Sequence, residues 1–572
     1  MYIHTIIIYV LKSILKFLIF GSIFSTSFVN IFAQNFELTM YAKDSVGNAV
    51  LKSIPYNKVH QTKKSVLNEV DRISHKLTSK GYLQNQYQLT EIDTLVTCEF
   101  ELLNKIEIVR ISYPENSIDI DFLNQWSMSA SETYFDIPFK DLENTLNEIV
   151  GYFENSGHPF TTVSLSNILE KENTLRAQLN LIISDKRTID NVVIKGYPEF
   201  PKKYIKQYLG IKPSNTFNLN LLNQLNALIN TIPFVSQIKK PEVLFTKDST
   251  NLYLYLKKKS TSSFDGIIGF SNEENSSGLK FNGYLDLNLN NILNKGESFN
   301  IHWENSQQTN SSLELNFNSP FIFNSKLNLN GGFSIFKQDT SFVNTKGTLE
   351  IGYALNQNNT VTLMGSTEKS DLSSSTSNFN NVNSFNKKML GIKYVFSILE
   401  NPIYINRYKF YIDAGYLIGN RISDHLKKQQ NIFHFLIAYN AQLNTRNAVL
   451  IKTSTQYLNT TNPYENELFR IGGVNSIRGF NEQSILTPKY NVTNLEYHFK
   501  VNTASYVYTI TDFAILNNTN TNKTTQLYGL GIGYYLSTKN TILNLSYAVG
   551  TNYEDSFNLN NSKLHIKVTY PF

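Results

Sequence analysis

The residues with the most evident chemistry lie in one glycine-rich stretch, Ile471-Gly472-Gly473-Val474-Asn475-Ser476-Ile477-Arg478-Gly479-Phe480. A guanidinium presents its donors in a planar fork that grips a carboxylate bidentately, and a flanking glycine lets the backbone turn tightly beside it. Two downstream carboxylates could receive Arg478: Glu496, in Asn494-Leu495-Glu496-Tyr497, and Asp512, in Thr511-Asp512-Phe513-Ala514. This is the chemistry of holding a segment in place, and the rest of the chain offers little for breaking bonds. Its nine histidines are scattered, with no His-Glu-x-x-His or clustered acidic arrangement for a metal. Neither a Gly-x-Ser-x-Gly elbow nor a phosphate-binding Gly-rich Lys-Ser/Thr loop occurs. The one cysteine, Cys98, excludes an internal disulfide framework and any multi-cysteine site, and reads as a small buried residue. The expectation is no enzyme, no metal and no cofactor.

Composition narrows the scaffold that must carry such a loop. The 572 residues are 41% hydrophobic, 13% aromatic and only 17% charged, too apolar to be mostly disordered and too long for one ordinary domain. A formal charge of +6 is mild at this size, so a nucleic-acid partner is not expected. Many Tyr, Phe, Asn, Ser and Thr beside few charges suit a large β structure with one wet face. Residues 1–33 read as a signal peptide: Lys12 and Lys16 precede the densest apolar stretch, and Phe32-Ala33-Gln34 offers a cleavage boundary after Ala33. Beyond it no run of about 18 apolar residues occurs, so entry into a membrane requires a closed barrel.

Two halves follow different periods. Val66, Val70, Ile73 and Leu77 share one helical face, as do Leu142, Leu146, Ile149 and Phe153, and then Leu219, Leu222, Leu225, Ile229 and Ile232. The helices stop at Gly81, Gly157 and Pro233, evenly spaced by 76 residues, which marks a tandem repeat of small α+β modules. Each helix precedes two strand-like runs, and the domains divide at 34–104, 105–188 and 189–260. The first module is the weakest, because a long loop separates its opening strand near Phe36 from its helix. Across 261–572 the helical period disappears. Alternating runs begin near Phe264, Gly278, Glu297, Ser311, Lys326, Lys346, Asn359, Lys388, Tyr408, Asn431, Asn447, Tyr490, Tyr506, Leu527, Asn540 and Lys563. The fold class is therefore an all-β transmembrane barrel of sixteen antiparallel strands behind tandem small α+β domains. In its last strand Leu564, Ile566, Val568, Tyr570 and Phe572 face outward, with Lys563, His565, Lys567 and Thr569 inward.

The modules resemble the polypeptide-transport-associated (POTRA) domain. The glycine-rich stretch resembles the Arg-Gly-Phe loop signature of the BamA and TamA family, outer-membrane assembly factors with bacterial surface-antigen barrels. It falls between the eleventh and twelfth strands, the sixth outer loop if the first strand rises from the periplasm. The C-terminal alternation ending in Phe572 resembles the signal by which such barrels are recognised. The resemblance covers nearly the whole mature chain and implies that Gly472, Gly473, Ile477, Arg478, Gly479 and Phe480 form a loop folded into the lumen. It also implies acidic partners on the two following strands, hence Glu496 and Asp512. The family's Asp-x-Gly pattern is altered, since Ala514 stands where glycine is expected. Ile412-Asp413-Ala414-Gly415 fits that pattern better in letters but precedes the loop, so chain order favours Asp512.

A functional expectation follows from folding into lipid, where backbone groups must be paired before they leave water. Gly266 and Gly269 in the first strand and Pro571 beside Phe572 in the last would weaken the seam between them. A weak seam offers an edge for templating, and exposed edges of the modules bind extended chains. The first reading is an assembly or translocation factor in the bacterial outer membrane, its N-terminal domains in the periplasm. It would insert unfolded or extended outer-membrane or secreted proteins without ATP, with periplasmic accessory proteins or chaperones and outer-membrane lipid as partners. A dedicated secretion pore of the two-partner type is the alternative. Such pores carry a plug helix ahead of two modules, whereas 34–56 shows no helical period and three repeats are counted. A passive porin with periplasmic binding modules is the third reading, and an inward-folded Arg-Gly-Phe loop counts against it.

Overall fold

The computed structural model describes residues 35–272, 279–305, 310–338, 341–373, 381–399, 408–518, 523–553 and 558–572, which divide between Lys186 and Arg187 into two compact units. The signal-peptide segment 1–33 and the start of the second barrel strand at Gly278 lie outside the described residues.

Unit one holds two small sheets with one connectivity. In the first, the opening strand Phe36–Ala42 runs parallel to the last strand Leu95–Glu101, which pairs antiparallel with Gln86–Ile92. Helix Lys63–Ser79 covers this sheet, its start fixed by a capping box between Thr62 and Ser65 and its buried stripe formed by Val66, Val70, Ile73 and Leu77. Gly81 ends it with φ of 101°, and a Cβ there would stand 2.3 Å from the Ile106 carbonyl oxygen, so only glycine fits. The segment expected to be a long loop after the opening strand contains a helix, Ser45–Lys52. Asp44 caps it by accepting the Gly47 N–H at 2.6 Å. At eight residues, with Gly47 and Asn48 inside, it is too short to display a period, which also removes the helix-free 34–56 segment as an argument about function. Cys98 is fully buried in this core, and burial pushes its thiol up to about 12. The second sheet repeats the pattern: Ile108–Ser112 lies parallel to Thr174–Ile182, with helix Leu142–Asn155 packed against it.

Unit two opens with a third sheet of the same plan, Asn191–Lys195 parallel to Thr250–Lys258, with Val235–Phe245 antiparallel beside it. Its helix Leu219–Ile229 ends before Ile232, which is buried in the following turn. Sixteen antiparallel strands then close into a barrel. Among the described residues no helix is long and apolar enough to cross a membrane, so the strands, which satisfy one another's backbone groups, are the elements suited to it. Alternation is as expected in the sixteenth strand, Ser562–Pro571: Leu564 and Ile566 point out, while Lys567 reaches inward to Asp286 of the second strand, Leu279–Asn290.

The third module seats on barrel turns. Phe321, in the irregular end of the fourth strand, Asn310–Ile322, just before the turn to the fifth, Leu327–Gln338, enters the module core, its ring 5.1 Å from that of Tyr204. Tyr197 donates to Asn294 Oδ1 at 2.8 Å and accepts from Asn291 Nδ2 at 2.8 Å, and Lys203 donates to the Pro320 carbonyl. Burial holds the Lys203 ammonium below the ordinary lysine range. Burying one phenylalanine ring is worth about 1.5–3 kcal/mol, so this turn is a substantial anchor that no sequence pattern announced. The seated turns all join an even strand to an odd one. Connections from odd to even strands therefore lie at the opposite end, called the far end below.

Candidate functional site

The connection between the eleventh strand, Asn447–Asn459, and the twelfth, Lys489–Lys500, starts at the far end and folds back into the lumen. Within it Phe469–Ile471 and Ile485–Thr487 form a short hairpin. Its tip carries the glycine-rich stretch. Gly472, Gly473 and Gly479 all have positive φ, at 113°, 93° and 90°. Ile477 is fully buried among Ile471, Val492, Ala514 and Leu516, with Phe480 packed against them. Apolar groups thus fasten one side of the tip to the wall of the twelfth and thirteenth strands, the latter being Ser505–Asn518.

The structure brings Arg478, Glu496 and Asp512 together. Asp512 Oδ2 accepts from the Arg478 backbone N–H at 2.9 Å and from Nε at 2.8 Å. Oδ1 accepts from Arg478 Nη2 at 2.6 Å and Asn494 Nδ2 at 2.8 Å. All four acceptor sites of this buried carboxylate are filled. Arg478 Nη1 donates to Glu496 Oε1 at 2.5 Å, and the other oxygen of Glu496 lies 2.7 Å from His498 Nε2. One cation between two carboxylates, all three groups hydrogen-bonded, is the arrangement in which a buried ion pair holds its geometry. Asp413 is not part of it: that carboxylate lies 2.9 Å from His434 Nε2 on the neighbouring strand.

Sequence reasoning missed the wall on which the tip rests. A Cβ on Gly529 of the fourteenth strand, Lys523–Ser537, would stand 2.3 Å from the Arg478 carbonyl oxygen. One on Gly550 of the fifteenth, Ile542–Asn552, would stand 2.6 Å from the Gly479 oxygen and 2.7 Å from the Phe480 ring. These two glycines let the loop backbone lie flat on the strands. Nothing in the letters separated them from Gly531 and Gly533, which alternate in the same strand. Asn494, which ties Asp512 to the Ser476 carbonyl, was also missed. Gly550→Leu should push the tip off the wall while leaving every ionic partner present, an overpacking cost of about 1–3 kcal/mol. Trypsin should then cut after Arg478, a bond that burial should protect in the parent protein, and unaltered protection in the variant would refute the contact.

The base of the loop is anchored separately. Arg421 of the ninth strand donates to Glu467, which also accepts from Gln430 Nε2 at 2.8 Å, and the Tyr464 ring lies 3.9 Å from the Arg421 guanidinium carbon. Both charged side chains are almost wholly buried. Asn466 donates to Ser370 Oγ and the Asn383 carbonyl, both at 2.7 Å.

The seam between the first strand, Ser263–Asn272, and the sixteenth is short. Among the described residues only Ser263↔Pro571 and Phe264↔Tyr570 pair, whereas the sixteenth strand pairs with the fifteenth from Ser562 to Thr569. The Phe572 N–H donates to the Ser262 carbonyl at 2.9 Å. Gly266 and Gly269 both lie past the last pair, where the described part of the first strand has no partner on the sixteenth. Beside the seam the lumen holds a cavity of about 940 Å³ lined by Asp286, His302, Glu304, His565 and Lys567, and reached from the other side by Arg478.

A closed barrel of sixteen strands behind small α+β modules is a fold shared with known structures. The chain is similar to BamA from Haemophilus ducreyi lacking POTRA domains 1–3, at 13% identity over 81% of this chain and 99% of that one, with a TM-score of 0.50. It is equally similar to CdiB from Escherichia coli, at 12% identity over 89% and 97% of the two chains, again with a TM-score of 0.50. No family model matches the chain, and no curated protein sequence matches it. The barrel is just over half of the chain, so both matched spans extend into the modules.

Proposed function

We propose that this protein is an outer-membrane assembly or translocation factor whose modules stand in the periplasm and pass extended polypeptides to the barrel. The supporting observation is the seam, closed by two residue pairs beside a polar lumen cavity. A client strand can pair with the free edge of the first strand from Gly266 onward and so satisfy its backbone before meeting lipid, with no nucleotide required. Under this reading the Arg478 loop braces the twelfth to fifteenth strands so that strain concentrates at the seam. Clients are unfolded outer-membrane or secreted proteins, with periplasmic chaperones or accessory proteins as further partners.

A dedicated secretion pore is the second reading, favoured by an equal likeness to CdiB. In it the client passes through the lumen and the loop must leave. A passive porin fits poorly with a lumen occupied by a loop tied down at both tip and base. Depleting the protein in its host and quantifying every outer-membrane protein separates the readings. A broad fall among unrelated barrels supports general assembly, loss of one surface or secreted protein supports the pore, and no change in either overturns both.

A further inference from the structure

The seventh to tenth strands, Asn359–Leu372, Phe385–Leu399, Tyr408–Ser423 and Leu426–Gln442, are among the longest in the barrel, and their far ends carry an outward patch unlike the belt beneath it. The registers place Lys369, Asn386, Ile422 and Lys427 side by side in one row. Thr367, Lys388, Asn420 and Gln429 form the next row. Lys369, Lys388, Lys427 and Gln429 are exposed, while the residues alternating with them, Ser370, Lys387, Arg421 and Gln430, are buried inside. The lysines therefore project from the outer face. Two residues further along, the same strands show Leu390 and Ile418, and two beyond those Leu363 and Ile392, an apolar surface suited to acyl chains. A polar row thus begins about 7 Å above hydrocarbon-facing residues, the height of headgroups.

Lys369 shares its charge with Asp371 at 2.8 Å. Among the described residues Lys388 and Lys427 have no ionic partner, and neither row contains a carboxylate. With strands about 4.8 Å apart, Lys369 and Lys427 stand about 14 Å apart, with Lys388 between and below them. We propose that this patch binds the phosphate-bearing headgroup of a lipid in the leaflet at the far end, lysines and side-chain amides holding phosphate oxygens while the acyl chains lie along Leu390 and Ile418. The inference rests on the proposed membrane setting but not on which polypeptide the barrel handles. Charge complementarity and the adjoining apolar belt commit it to a lipid rather than to free phosphate.

The test uses the full-length protein in neutral detergent, titrated with diphosphoryl lipid A, its dephosphorylated form and inorganic phosphate, with binding read by native mass spectrometry. The parent should retain the phosphorylated lipid at least about tenfold more tightly than the dephosphorylated one, with no competition from inorganic phosphate at equal concentration. Each lysine near a membrane surface contributes about fivefold, so the triple substitution K369A/K388A/K427A should lose that preference while K337A, on the fifth strand, keeps it. Heat-modified migration in SDS checks that the triple variant is folded. Equal binding of both lipids, competition by inorganic phosphate, or an unchanged preference in the folded triple variant would each overturn the proposal. None of these outcomes touches the seam or the depletion result, so this inference can fail while the assembly reading stands.

Discussion

Arg478→Ala should abolish most activity and leave a barrel that unfolds in SDS well below the temperature the parent withstands. Arg478 is 6% exposed and Asp512 1%, so removing the guanidinium strips a buried carboxylate of two of its four donors and of its countercharge, leaving only Asn494 and the backbone N–H at position 478. Breaking one partner of a buried, hydrogen-bonded pair typically costs about 3–5 kcal/mol. That is enough to release a loop tip held otherwise by Ile477, Phe480 and flat contact with two glycines. Arg478→Lys should recover little, because an ammonium is a point charge and cannot span Asp512 and Glu496 as the planar fork does. Asp512→Asn tests the same contact from the other side: it turns an amide donor toward groups that all donate. Its effect should match that of Arg478→Ala, and the double variant should be no worse than either, since the residues act as one unit. Parent-like SDS resistance and activity in Arg478→Ala would remove the loop from the mechanism.

The separate anchor at the base explains why that variant should remain a barrel at all. The Arg421 and Glu467 pair holds the loop where it leaves the eleventh strand, so losing the tip contact frees about a turn of chain without unthreading the whole connection. This anchor shows where sequence reasoning reaches its limit. Arg478 was legible because glycines on either side and its place between two alternating strands gave it a context, and Asp512 followed from order along the chain. Arg421 sits in an ordinary strand, 46 residues before a glutamate in a polar loop, and no spacing rule links them. The barrel itself was legible, all sixteen strands of it, because period-two alternation repeats in every strand and turn residues punctuate it. What the letters withheld were contacts made by backbone and by turns: the loop resting on Gly529 and Gly550, Phe321 in the core of the third module, and a helix too short to show a period at Ser45–Lys52.

Locking the seam should have the other large effect, and it separates the two functional readings. Phe264 and Tyr570 are register partners on the first and last strands, close enough in an antiparallel pair for a disulfide to form with modest adjustment. Cys98 is fully buried in the first module and will not compete for oxidation. The seam is the joint with least to lose on opening: each net hydrogen bond contributes about 0.5–1.5 kcal/mol, and two pairs face a neighbouring joint that runs from Ser562 to Thr569. The Lys567 to Asp286 contact across it, at 3.4 Å with Lys567 half exposed, adds little in a wet lumen. If clients are templated on the edge of the first strand, oxidised Phe264→Cys/Tyr570→Cys should lose essentially all client assembly, and reductant should restore it. If clients instead pass through the lumen, the oxidised protein should transport at the parent rate, because a fixed circumference leaves the lumen open once the loop withdraws. A locked seam with full activity would therefore transfer the mechanism from the edge of the first strand to the interior, and would make release of the Arg478 loop, rather than opening of the wall, the step that controls passage.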